Sequence, residues 1–305
     1  MRIGLTGFGT SVEQVVRQAE RAEADGFAAL WYPSAVLGDP LVAMALAGRA
    51  TSTIELGTAV LPSYTCHPVL QAARASGTAA AIGGGRFTLG IGPSHRPVIE
   101  DRYGLSFATP GRHTEEYVGV LAPLLRGEAV SVDGPEYRVR AEAPAVPEDG
   151  PVPLLLAALG PRLLRVAGRQ AAGTILWMGN ATSIEKHVAP RIREAAAAAG
   201  RPEPRIVAGL PVAVHDDVAE ARAEAASVYS VYGTLPNYRR ILAHGGISGP
   251  ADAVLVGDEV TVGARIRELF EAGATDVWAA PFPVGADRAA SRRRTRALLK
   301  ELAAG

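Results

Sequence analysis

One pattern limits the folds open to this chain more than any other: about eight times, a short apolar run is followed by a longer amphipathic one. Short runs of branched and aromatic residues suit strands, and apolar residues spaced three and four apart suit helices. The alternation therefore specifies βα units around a parallel sheet. Strands are expected at Ile3–Gly7, Phe27–Tyr32, Ile54–Leu61, Arg86–Gly92, Leu154–Ala158, Thr174–Met178, Arg205–Val214 and Thr275–Phe282. Helix signals follow in step. Ser11 with Gln14 three residues on reads as a capping box, Val12, Val15, Val16 and Ala19 make an inner stripe, and Gly26 ends the helix. Asp39-Pro40 combines a cap with a first-turn proline, and a further helix runs from Pro68 to the glycines at 83–85. Later helices are expected over Pro161–Gln170, Ser183–Ala199, Val218–Tyr232 and Asp287–Ala303, with one more ending near Gly273.

Two stretches break this rhythm. Residues 93–153 hold one expected helix, Thr114–Leu125, and a hairpin around Asp133-Gly134, and residues 233–257 are irregular. The first stretch reads as an insertion after the fourth strand, lying over one end of a barrel. Eight strands, each followed by a helix, are what a TIM barrel requires, and 305 residues suit one such domain. The expectation is a single α/β domain over residues 1–305, a (β/α)8 TIM barrel with an insertion after strand 4. A doubly wound open sheet is the rival. It would announce a glycine-rich dinucleotide fingerprint after the first strand, and Gly7-Phe8-Gly9-Thr10-Ser11 does not complete one.

Charge and motifs narrow the function. Lys plus Arg is 31 and Asp plus Glu is 31, so no global field attracts phosphate and no nucleic-acid partner is expected. The run Arg292-Arg293-Arg294 shares a helical pattern with Leu298, Leu299 and Leu302 and reads as a solvated face. A single cysteine, Cys66, excludes an internal disulfide and suits a reducing cytoplasm. No signal-peptide pattern opens the sequence, and no apolar stretch approaches the roughly 18 to 20 residues that span a bilayer, so no membrane partner is expected. The six histidines are scattered, so no metal site is expected. Neither a Gly-x-Ser-x-Gly elbow nor a P-loop occurs.

In a barrel, active groups cluster where the strands end and the βα loops converge. Those ends include Pro33-Ser34, Ala59-Val60-Leu61-Pro62, Gly92-Pro93-Ser94-His95 and Ala158-Leu159-Gly160-Pro161-Arg162. They are apolar and glycine-rich with few acids. Such a site suits a flat aromatic cofactor held by backbone groups better than a metal or a sugar.

Three runs then carry a resemblance: Ile54-Glu55-Leu56-Gly57-Thr58-Ala59-Val60-Leu61-Pro62, His67-Pro68, and Gly85-Arg86-Phe87-Thr88-Leu89-Gly90-Ile91-Gly92. With Gly26-Phe27, Leu30-Trp31, Ala158-Leu159-Gly160-Pro161-Arg162 and Val256-Gly257-Asp258-Glu259, they make the chain resemble the luciferase-like monooxygenase superfamily along nearly its whole length. Within it the chain is most similar to the coenzyme F420-dependent oxidoreductase branch, the methylenetetrahydromethanopterin reductase-like enzymes. The resemblance implies a cis peptide between Ala59 and Val60 behind the cofactor ring. It implies cofactor contacts from Ser34, Pro62, Pro93, Ser94, Ala158, Leu159, Pro161 and Arg162. The backbone of Gly160 to Arg162 opens a helix, and the N–H groups there can hold a ribityl or phosphate oxygen. Arg162 can add a charged hydrogen bond or simply face solvent.

His95 stands where relatives carry a catalytic acid; it is the candidate proton donor, with mere hydrogen bonding to ring or backbone as the alternative. Two departures matter. Ser34-Ala35 replaces an Asp-His pair, which argues against sugar-phosphate oxidation, and Ala172-Gly173 replaces an Asp-Gly pair. Trp177 is either a pocket wall or a core residue. The implied activity is an F420-dependent reductase that transfers hydride to an activated C=C or C=N bond of a small-molecule substrate, in a cytoplasmic homodimer. The alternatives are an FMN-dependent monooxygenase on the same fold and a non-catalytic flavin-binding barrel.

Overall fold

The computed structural model describes residues 1–37 and 39–305. Eight strands form its frame: β1 Ile3–Thr6, β2 Ala29–Tyr32, β3 Glu55–Thr58, β4 Phe87–Gly92, β5 Leu154–Leu156, β6 Gly173–Trp177, β7 Arg205–Val214 and β8 Asp276–Pro281. Each pairs in parallel with the next and β8 pairs with β1, so the sheet closes. The expected (β/α)8 barrel is present. Alternate side chains split between two cores, as the period of two in a strand requires. Ile3, Leu5, Leu30, Tyr32, Leu56 and Leu89 face the surrounding helices. Ala29, Trp31, Leu155, Ile175, Val207 and Trp278 fill the barrel interior, with Ala59, Val60 and Trp177 packed on them. Two indoles fit inside because glycines face them. A Cβ on Gly57 would lie 2.2 Å from the Trp31 ring, and one on Gly209 would lie 2.3 Å from the Trp278 ring.

The amino-terminal end of the barrel is closed by charge. Arg205, the first residue of β7, forks onto Glu55 (2.8 Å to each oxygen) and onto Asp276 (2.9 and 2.6 Å). Arg2 reaches both acids, and the hydroxyls of Thr88 and Thr275 donate to Glu55 and Asp276 respectively. The Arg205 guanidinium lies 5.5 Å from the Trp31 ring, so the plug rests on the hydrophobic layer above it.

Local signals place the helices with some adjustments. Ser11 Oγ accepts the Gln14 N–H, but the Gln14 side chain takes the N–H of Thr10 rather than of Ser11, so the box is displaced by one residue. Asp39 caps Leu41 N–H with Pro40 in the first turn, as expected. Within the insertion the helix is Pro110–Leu125, starting four residues before the expected Thr114, because Pro110 supplies a preset first turn. The hairpin pairs Val130–Asp133 with Arg138–Ala141. The second irregular stretch is more ordered than its composition suggests. It holds helices Pro236–His244 and Pro250–Ala253 and a short strand, Leu255–Gly257, which pairs with the overhang of β7 at Val212, Ala213 and Val214.

Candidate active site

At the carboxyl end of β3 the pairing with β4 slips. Leu56 and Gly57 sit opposite Phe87 and Thr88, but Leu61 and Pro62 sit opposite Ile91 and Gly92. Three residues, Thr58 to Val60, thus oppose two, Leu89 and Gly90, which is a β-bulge. The Thr58 hydroxyl fills the interrupted ladder: it accepts the Gly90 N–H at 2.8 Å and donates to the Gly90 carbonyl at 2.8 Å. The Ala59-Val60 bond inside the bulge is cis, as the family resemblance implied.

Glycine lets the strands meet here. A Cβ on Gly90 would stand 1.9 Å from the Thr58 carbonyl oxygen. One on Gly92 would meet Val60 Cγ2 at 2.8 Å and Ala157 Cβ at 2.9 Å. The ends of β3, β4 and β5 therefore converge on one seam, where Val60 and Ala157 fill the space that a side chain on Gly92 would take. Val60 touches Gly92, Pro62 pairs with it and Pro93 follows it. Ala158, by contrast, is buried in the helix-facing core, and Ala157, not singled out by the sequence, reaches the seam from β5.

Backbone strain marks the same end of the barrel. Among the described residues, three that are not glycine have left-handed φ: Leu37 at 54°, Ser94 at 63° and Met178 at 63°. They follow β2, β4 and β6. Such residues persist only where their surroundings enforce them, and they gather at sites that bind ligands. Ser34 lies half-buried in the turn after β2.

After β5, Leu159 gives its carbonyl to His187 Nε2 at 2.8 Å, and Gly160 caps helix Pro161–Gln170 without a side chain. The first-turn amides there have no capping oxygen, and nothing lies within 4 Å of where a Gly160 Cβ would be. That open turn, at the positive end of a helix, is suited to an anionic oxygen. Arg162 turns away from the seam. It forks onto Glu115 at 2.9 and 2.7 Å and, with Arg165 and Arg169, lines a hollow of about 390 Å³ on the outer flank.

His95 comes to the opening from the loop after β4. Its ring centroid is 5.7 Å from Tyr238 and 6.5 Å from Tyr232, and burial pushes its pKa below the ordinary 6.5. Among the described residues no carboxylate opposes that shift, so the neutral imidazole prevails at neutral pH. Trp177, at the end of β6, meets Trp278 at 5.1 Å and the rings of Tyr229 and Tyr232 at 6.2 Å each. These tyrosines were not singled out by the sequence. A signal existed, since three of the chain's eight tyrosines lie between residues 229 and 238. Among the described residues no group of three or more His, Cys, Asp or Glu side chains could hold a metal ion, and no helix is long and apolar enough to cross a membrane.

Comparison with known proteins agrees with this geometry. The luciferase-like monooxygenase family matches residues 3–276. The chain is 27% identical to the 5,10-methylenetetrahydromethanopterin reductase of Methanolobus tindarius, over 91% of this chain and 92% of that protein. The coenzyme F420-dependent tetrahydromethanopterin reductase of Methanopyrus kandleri superposes with a TM-score of 0.77 at 23% identity, covering 98% of this chain and 96% of that one. The FMN-bound oxygenating component of 3,6-diketocamphane monooxygenase from Pseudomonas putida gives 0.75 at 17%, covering 100% and 98%.

Proposed function

Because the chain belongs to the luciferase-like monooxygenase family, we propose that it is a coenzyme F420-dependent reductase that delivers hydride to an activated C=C or C=N bond of a small molecule. The observation that carries this reading is the seam at Gly92, where β3, β4 and β5 meet closely enough for Val60 and Ala157 to cover the glycine with a low apolar face beside the Ala59-Val60 bulge. A planar ring can lie against such a face. Its phosphate-bearing tail is suited to the uncapped turn at Gly160, Pro161 and Arg162, and the Arg165 and Arg169 guanidiniums beyond it add positive charge. When bound, the deazaflavin supplies two electrons as hydride.

The chain's own residues then have three tasks. Val60, Pro62, Pro93, Ser94, Ala158 and Leu159 orient the ring, with Ser34 bounding it from β2. The tyrosines after β7 exclude water from the opening. His95 holds a proton at the opening and gives it to the acceptor atom next to the one that receives hydride. Its lowered pKa makes the imidazolium that gives the proton the minor form at neutral pH, so turnover should rise as the pH is lowered toward that pKa.

Titrating the protein with oxidised coenzyme F420 and with FMN, followed by absorbance and fluorescence, tests the cofactor. F420 is expected to bind at least about tenfold more tightly, a difference of roughly 1.4 kcal/mol. Preference for FMN with oxygen consumption would replace the reductase by a monooxygenase, and binding of either without turnover would make the barrel non-catalytic. His95→Ala should cut turnover of an activated acceptor by about 10²–10⁴-fold while leaving F420 affinity unchanged. Unchanged turnover would remove His95 from the mechanism.

A second copy of the chain is the proposed partner. Helices Pro40–Ala50 and Pro68–Ile82 pack together, and their outer faces leave Val42, Leu46 and Leu70 exposed at 66%, 48% and 57%. Contiguous exposed apolar side chains of this kind mark contact surfaces. Light scattering should report a dimer, and Val42→Glu with Leu46→Glu should give a monomer. A wild-type monomer at micromolar concentration would end that proposal.

A further inference from the structure

The rings over the barrel opening come from widely separated segments. Trp177 ends β6, Trp278 lies in β8, Tyr229 ends helix Val218–Tyr229, and Tyr232 and Tyr238 belong to the segment that follows. Tyr232 and Tyr238 meet at 4.8 Å with planes 61° apart, and Tyr232 meets Trp177 at 6.2 Å and 59°. These are tilted and edge-on geometries, the arrangement aromatic side chains adopt around another flat ring. No Lys, Arg, Asp or Glu takes part in these ring contacts. The titratable groups among them are held neutral: burial lifts Tyr229 to about 12, raises Tyr232 and Tyr238, and lowers His95. The charge felt at these rings is Glu224, which raises Tyr229 and is paired with Arg288 at 3.0 Å. A charged substrate group at Tyr232 and Tyr238 would thus lose its hydration and find, among the described residues, only an ion already paired.

One polar atom among these rings has no aligned partner. Trp177 Nε1 is closed off from solvent and makes no hydrogen bond, although the Tyr232 side chain lies close enough for Trp177 to counter part of its burial shift. A buried N–H left unsatisfied is unfavourable, and an acceptor on a ligand would relieve it. A cation would also attract the ring faces, but it brings no acceptor for this donor.

We propose that this site takes a flat, uncharged, conjugated acceptor whose carbonyl oxygen accepts a hydrogen bond from Trp177 Nε1, stacked among Trp177, Tyr232 and Tyr238. This assignment of substrate class rests on the reductase reading, but its test does not. Calorimetry with the full chain, alone and saturated with oxidised coenzyme F420, would compare coumarin with 2H-chromene, which has the same bicycle without the carbonyl. The cation 1-methylquinolinium and the anion glucose 6-phosphate complete the series.

Coumarin is expected to bind most tightly, and Trp177→Phe should weaken it about tenfold more than it weakens 2H-chromene, which loses stacking area but no hydrogen bond. A merely structural role for Trp177 would weaken both equally and overturn the proposal. So would tighter binding of the cation or of the sugar phosphate than of coumarin. Failure of coenzyme F420 to bind would sink the reductase reading separately, because the coumarin arm is read on the coenzyme-free protein as well.

Discussion

Replacing Arg205 by methionine should lower the stability of the fold by about 3–5 kcal/mol, the range found when one partner of a buried ion pair is removed. The reason lies in what remains. Glu55 is 9% exposed and Asp276 is 2% exposed, and Arg205 alone forks onto both. Without it two carboxylates face each other at the base of the barrel with only Arg2 between them, and the side chain of Arg2 is 52% exposed. A buried charge with an inadequate partner loses solvation that nothing returns.

The pH dependence carries a sign. Burial would raise the Asp276 pKa, but Arg205, Thr275 and Arg2 hold it below the ordinary 3.8. The ionised carboxyl therefore stabilises the folded chain in full above that ordinary value, and the contribution is lost as pH falls through the lowered one. In Arg205→Met this acid-sensitive part should shrink. Denaturant unfolding at pH 7 and through the acid range reads both effects. A loss below about 1 kcal/mol would mean that the network contributes no more than an exposed pair does. The plug closes the barrel end opposite the Gly92 seam, so the folded variant should still bind coenzyme.

The architecture was legible because barrel strands announce themselves locally. Each of the eight apolar runs became a strand, since burial on both faces demands continuous apolar sequence between turn signals. What escaped depends on partners far along the chain. Arg162 reads equally well as a cofactor contact or a solvent residue, and only the fold reveals Glu115, 47 positions away, as its partner. The strand Leu255–Gly257 is three residues long and exists because β7 outruns both its barrel neighbours. Tyr229, Tyr232 and Tyr238 have no periodicity to announce them, and only the path of the chain after β7 brings them to Trp177 and His95. The bulge is intermediate. Periodicity shows an apolar strand end at Ala59-Val60, and the family resemblance was needed to expect a cis bond there.

The same bulge gives the second large effect. Thr58→Val keeps the volume of the side chain but removes the hydroxyl that bridges Gly90 N–H and carbonyl, so a buried donor and a buried acceptor are left unsatisfied. Each such group costs about 1–3 kcal/mol. Gly90→Ala attacks the same point sterically, placing a methyl group 1.9 Å from the Thr58 carbonyl oxygen, where a backbone atom rather than a mobile side chain must move. Overpacking of this kind typically costs about 1–3 kcal/mol.

Both changes also move Val60 relative to Gly92, and hence the face proposed to carry the cofactor. Coenzyme affinity should fall by at least about tenfold in each variant, more than Trp177→Phe or His95→Ala causes. Leu299→Ala provides a stability control: Leu299 is buried on helix Arg288–Ala304, which packs on β1, β7 and β8 rather than on the seam, and its truncation costs about 2–5 kcal/mol. If variants of similar stability loss bind coenzyme equally whether or not they touch the bulge, the bulge belongs to the scaffold alone. If only Thr58→Val and Gly90→Ala lose coenzyme, the place where three residues oppose two is the surface against which the ring lies.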